Sequence, residues 1–131
     1  EEVDRDRVSR YGIAGGTNIA DNLLALDQIV EKPSAEDAPS NMAVAARYIF
    51  QPAIFEYLSK TSRGKNNEIQ LTDAMAAMLK DHEMIGFCFS GKRYDVGNKL
   101  DFIKTNIELG LTHEDIAGEL TDYLRTLASK L

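Results

Sequence analysis

The sequence predicts an α/β fold. Two observations carry that reading: apolar runs of strand length at 23–30, 42–50 and 84–89 are bounded by Gly, Pro and polar clusters, and helical stripes follow them at 54–58, 71–79 and 100–111. A strand-to-helix step repeated along a chain is the usual mark of helices packed on a sheet. With 131 residues, 44% of them hydrophobic and 27% charged, the chain has one domain's worth of core and no bias toward disorder or fibrous repeat.

In chain order, residues 8–14 alternate enough for a strand with Gly12 inside it, and an interior glycine marks either a bulge, a close approach of ligand or backbone, or plain flexibility. Gly15-Gly16-Thr17-Asn18 is expected to be a hairpin turn, since no apolar helical run follows at phosphate-loop spacing. The run Leu23–Val30 should end near Pro33, leaving Glu31 and Lys32 at its carboxyl end. Strand alternation would point these two side chains to opposite faces, so each needs its own partner or stands solvated. Residues 34–41 read as an exposed connection, and Met42–Phe50 as a strand covered on both faces.

Pro52 suits the first position of a short helix burying Ile54, Phe55 and Leu58. After a polar loop at 61–67, Leu71, Ala74, Met75, Met78 and Leu79 mark the next helix, with Thr72 and Asp73 placed to cap its start. The two methionines are core, not a cofactor box. Met84–Phe89 is a strand, Arg93–Lys99 a junction, and Leu100, Ile103, Ile107 and Leu111 a helical stripe stopped by Gly110. Thr112 with Asp115 resembles a capping box opening a last helix, whose broad stripe of Ile116, Leu120, Tyr123, Leu124, Leu127 and Leu131 requires a covering surface. That surface lies either in this chain or in another subunit, and a homo-oligomer is expected.

The net charge of −6 offers no broad basic face, which argues against nucleic acid as a partner. Cys88 is the only cysteine, no apolar run approaches a membrane span, and a reduced, cytoplasmic setting without membrane contact is expected. His82 and His113 lack the second histidine of a zinc helix. An aspartate followed by glycine at a strand-to-helix junction, Asp95-Val96-Gly97, is a place where α/β enzymes hold a metal or phosphate.

Six motifs occur together: Val-Ser-Arg-Tyr-Gly at 8–12, Val-Glu-Lys-Pro at 30–33, Ala-Pro-Ser-Asn at 38–41, Ala-Arg-Tyr-Ile at 46–49, Glu-Ile-Gln-Leu-Thr-Asp-Ala at 68–74 and Arg-Tyr-Asp-Val-Gly-Asn-Lys-Leu at 93–100. In this order and spacing they resemble the bacterial UTP:glucose-1-phosphate uridylyltransferases, also called UDP-glucose pyrophosphorylases. The resemblance implies the carboxy-terminal half of a Rossmann-like nucleotide-diphospho-sugar transferase fold, a mixed sheet flanked by helices. It implies one partial domain, with a sugar-phosphate-binding half over about 8–100 and terminal helices over about 100–131. The glycine-rich nucleotide loop and a second magnesium-binding aspartate of the family have no counterpart in the sequence, so the 131 residues alone are expected to be inactive.

For the complete enzyme the resemblance implies that UTP and glucose 1-phosphate become UDP-glucose and pyrophosphate, with Mg2+ as cofactor. Gly12 would lie against the sugar, Glu31 would accept hydrogen bonds from sugar hydroxyls, Lys32 would hold the sugar phosphate and serve catalysis, and Asp95 would bind magnesium. Asn66-Asn67 replaces a glycine common in related sequences, and asparagine tolerates the left-handed backbone. The alternatives are a thymidylyltransferase or other sugar nucleotidyltransferase, and a non-catalytic assembly or regulatory module.

Overall fold

The computed structural model describes residues 1–64 and 67–131. Its elements form two compact units, Glu1–Ser90 and Gly91–Leu131. In the first unit, strands β1 (Gly12–Ala20), β2 (Leu23–Glu31), β3 (Met42–Ala43) and β4 (Ile85–Phe87) form one sheet in the order β3-β1-β2-β4. Helices α1 (Ile54–Lys60) and α2 (Leu71–Met78) accompany it. The α/β class holds, but each of the three pairings is antiparallel where a mixed sheet was expected. The reason lies in β1 and β2: only Asp21 and Asn22 join them, and a connection that short permits only an antiparallel hairpin.

That turn falls beyond the glycine pair. Gly15 and Gly16 lie inside β1, at a register shift that marks a bulge, and not at the hairpin turn expected there. A Cβ on Gly16 would stand 2.0 Å from the Ala25 carbonyl oxygen, so the absent side chain is what lets the two strands approach. The start of the predicted first strand is also displaced. Residues Arg5–Arg10 form a 3-10 helix anchored by the fully buried Val8. The Arg5 guanidinium ties it to the connection after β2, donating to the carbonyls of Ala38 and Ser40 and to Asn41 Oδ1.

Cross-strand partners share a face, so Ile13 (opposite Val30) and Ile29 (opposite Ala14) serve different faces of the hairpin. Ile13 packs with Val3, Val8, Ala38 and Ala43. Ile29 packs with Ile54, Ala74, Met75 and Met78, which seats α1 and α2 against β2. The core role expected for the methionines of α2 is realised there. Phe55, expected in the buried stripe of α1, is 71% exposed, and Tyr57 packs beside Leu58 instead.

The long third strand is not formed. Pairing with β1 is confined to Met42 and Ala43, and Ala46 takes a left-handed φ of 53° that no strand accommodates. Ile49 is fully exposed, while Tyr48 and Phe50 stack on one another with centroids 5.4 Å apart. In the loop at 61–67, Asn67 has φ 60°, the left-handed conformation that asparagine tolerates, whereas Asn66 lies outside the described residues.

In the second unit, α3 (Lys99–Gly110) starts at Asn98, whose side chain accepts the Asp101 N–H at 2.9 Å. Helix α4 spans Ala117–Ala128. The capping box expected at Thr112 is not made, because the Thr112 hydroxyl turns back to the Leu109 carbonyl and α4 begins only at Ala117. None of α4's residues is buried, and Tyr123, Leu127 and Ile116 are all more than a third exposed. Among the described residues no helix is long and apolar enough to cross a membrane.

Candidate active site at the carboxyl end of strand β2

Strand β2 ends on Glu31, and the next residue leaves the extended conformation. Lys32 has φ 46°, in the left-handed region where an L side chain costs roughly 1–2 kcal/mol. The Lys32 N–H donates to the Tyr11 carbonyl at 3.0 Å, which holds this turn against the residue before β1. Strain of this kind persists only where the surroundings over-determine it, and it concentrates at ligand-binding positions.

The turn has a direct consequence for the charges. Lys32 Nζ lies 3.7 Å from Glu31 Oε1, correcting the expectation that the two are poorly placed to pair. That expectation rested on alternation, which requires extended backbone at both residues, and Lys32 does not have it. Glu31 is the more buried partner, its side chain 17% exposed against 44% for Lys32.

The other carboxylate oxygen is taken from α2. Thr72 Oγ1 donates to Glu31 Oε2 at 2.6 Å. Thr72 therefore does not cap its helix as predicted; Gln70 occupies the cap position, and no side chain bonds there. Asp73 stays in the first turn, where a negative charge is favoured by the free N–H groups of the helix start. Gln70 Nε2 donates to Glu68 Oε2 at 3.3 Å.

Gly12, the first residue of β1, lies opposite Glu31. A Cβ there would sit 3.2 Å from Glu31 Oε2 and 3.5 Å from Thr72 Oγ1. The missing side chain thus opens onto the carboxylate. Tyr48 belongs to the same surroundings: partial burial raises its phenolic pKa, and the negative charge of Glu31 raises it further. Gly12, Glu31 and Lys32 lie together, joined by Thr72 and Tyr48. Sequence reasoning assigned Thr72 to a cap and Tyr48 to a strand; only their occurrence inside motifs that also hold site residues could have pointed to them.

Asp95 belongs to the second unit. Its Oδ1 accepts the Gly97 N–H at 3.0 Å, a turn that orients the carboxylate ahead of α3. Gly97 itself has no left-handed φ. Nearby, Lys92 pairs with Glu108 and lies 5.2 Å from the centre of the Tyr94 ring. Among the described residues no three His, Cys, Asp or Glu side chains group as a metal cage.

An acidic acceptor and a strained lysine beside a glycine opening suit a ligand that carries both hydroxyls and a phosphate. The model of one protein family, described as nucleotidyl transferase, matches residues 2–110. The chain belongs to the nucleotidyl transferase family. Among its relatives is the UTP–glucose-1-phosphate uridylyltransferase of Streptococcus pneumoniae, 44% identical over 130 residues, which are 98% of this chain and 44% of the relative. A crystal structure of UDP-glucose pyrophosphorylase complexed with UDP-glucose superposes with a TM-score of 0.83 at 44% identity, over 86% of this chain and 43% of the other. A UTP-bound UGPase from Acinetobacter baumannii gives a TM-score of 0.78 at 30% identity, over 94% and 42%. These relatives carry the name that the six motifs implied. The chain spans less than half of their length.

Proposed function

We propose that the chain is the sugar-phosphate-binding part of an enzyme that converts UTP and glucose 1-phosphate to UDP-glucose and pyrophosphate. The observation that carries this reading is the Glu31–Lys32 pair at the end of β2, turned onto one opening by the left-handed Lys32 and bordered by Gly12. Glu31 accepts from sugar hydroxyls, and Gly12 leaves room for the ring. The Lys32 ammonium holds the sugar phosphate and offsets the repulsion between two anionic substrates. A phosphate oxygen of glucose 1-phosphate then attacks the α-phosphorus of UTP, the bond between the α-phosphorus and the bridging oxygen breaks, and pyrophosphate leaves. Positioning and electrostatics carry most of such a reaction.

Asp95 is the residue that would hold Mg2+. One carboxylate suits this ion, which keeps water and phosphate oxygens in its shell and, when bound, neutralises phosphate charge. The reading places the enzyme in the cytoplasm as a homo-oligomer, with the apolar side chains of α4 as surface in need of cover.

The test uses the full-length protein with UTP, glucose 1-phosphate and Mg2+. UDP-glucose should form, and Lys32→Ala and Asp95→Ala should each lower turnover at least tenfold. A preference for dTTP would indicate a thymidylyltransferase. Turnover unchanged in both variants would overturn the site and favour a non-catalytic module.

A further inference from the structure

We propose that Thr72 is a positioning residue: its hydroxyl, delivered by α2, fixes the Glu31 carboxylate in the orientation that receives the sugar. The inference rests on the reading of Glu31 as a sugar-hydroxyl acceptor and adds the group that sets its geometry.

Three observations support it. Thr72 is 8% exposed, and its hydroxyl donates across 41 residues of sequence to Glu31 Oε2 at 2.6 Å. Three other threonines in helices behave differently, Thr105, Thr121 and Thr126 each donating to the carbonyl four residues back in their own helix. Thr72 stands in the first turn of α2, before that habit can be satisfied, and its donor goes to the site instead.

The bond divides the carboxylate between two partners. Oε2 is engaged by Thr72, while Oε1 faces the Lys32 ammonium at 3.7 Å. A carboxylate offers about four lone-pair positions, so two engagements fix its plane and leave acceptor capacity for sugar hydroxyls. The anchor itself is rigid. Threonine is branched at Cβ and stiff at χ1, and α2 is seated on β2 by Ala74, Met75 and Met78 packed with Ile29. The acceptor on β2 and the donor on α2 are thus referenced to the same core, which gives the sub-ångström precision that a binding group needs.

The experiment is a double-mutant cycle in the full-length enzyme, with kcat and KM measured separately for glucose 1-phosphate and UTP. Thr72→Val keeps the shape and removes the donor; kcat/KM for glucose 1-phosphate should fall by about tenfold while KM for UTP changes less than about twofold. Thr72→Ser keeps the donor and should restore most of the loss. In a Glu31→Gln background, Thr72→Val should add little, because its effect passes through the carboxylate. A full effect of Thr72→Val on top of Glu31→Gln would overturn the inference, as would Thr72→Ser as impaired as Thr72→Val, which would assign the loss to packing. Should Glu31→Gln be impaired and Thr72→Val be wild-type, positioning by Thr72 is refuted and the site reading stands. Should Glu31→Gln itself bind glucose 1-phosphate normally, the site reading is refuted and the inference falls with it.

Discussion

Gly12→Ala tests the site without touching a charged group. The added Cβ would lie 3.2 Å from Glu31 Oε2 and 3.5 Å from Thr72 Oγ1, so the carboxylate must move by a few tenths of an ångström. It is not free to do so cheaply, because the same oxygen accepts the Thr72 hydroxyl at 2.6 Å. Complete loss of a hydrogen bond to a charged group costs roughly 1.5–3 kcal/mol, which sets the ceiling. Partial loss should cost about 1.4 kcal/mol, a tenfold fall in kcat/KM for glucose 1-phosphate. Stability should fall by no more than about 1 kcal/mol, because the weakened bond is a folded-state loss that is partly offset. Gly12 has no left-handed φ, so alanine meets no backbone strain, and the smaller entropy of the unfolded chain contributes about 0.4–1 kcal/mol in its favour. The assay pairs steady-state kinetics of the full-length enzyme with a thermal melt of the same protein. A Gly12→Ala enzyme with glucose 1-phosphate kinetics within twofold of wild type would refute the claim that this opening lies on the sugar. A collapse of the melting temperature would instead make Gly12 a folding residue.

Gly16→Ala should do the opposite, since its Cβ would meet the Ala25 carbonyl oxygen at 2.0 Å and the hairpin would have to open; a denaturant titration should show a loss of about 2 kcal/mol or more. Asn98→Ala removes the side chain that accepts the Asp101 N–H and should destabilise α3 by about 1 kcal/mol, read as lower helicity on denaturation. The Lys92 ammonium, bonded to Glu108, holds the Glu108 carboxyl below its ordinary pKa of 4.5. A depressed acid contributes stability above its unfolded pKa and loses it as pH falls through the folded value, so this contribution should fade below about pH 4.5. A carboxyl titration followed by NMR should show the Glu108 midpoint moving up toward 4.5 in Lys92→Met; no movement would refute the pairing.

Where a single residue type imposes its geometry, the chain was legible in advance. Pro33 cannot continue a ladder, and β2 ends at Glu31. The apolar spacing of Leu71, Ala74, Met75 and Met78 marks α2; α3 does end at Gly110, but Gly110 has no left-handed φ and Leu111 follows it in the right-handed conformation, so the glycine is not the stop expected. Runs that were apolar without being periodic were misread. Residues 42–50 have the composition of a buried strand, yet the ladder with β1 ends at Ala43, the Val44 N–H adds one last bond to the Gly12 carbonyl, and Ala46 turns away. Composition reports that a segment is apolar; the neighbour that covers it is a property of the fold.

The same division runs through the site. The family resemblance that the motifs carry implies that Gly12, Glu31, Lys32 and Asp95 would admit a sugar, accept its hydroxyls, hold a phosphate and hold a cation. Their individual chemistry is written in their side chains, and no tertiary contact is needed to read it. That Glu31 and Lys32 face each other depends on one backbone angle at Lys32, and that Thr72 grips Glu31 depends on α2 packing against β2. A hydrogen bond spanning 41 residues leaves no local pattern in the sequence, because its two ends meet only after the core between them has formed.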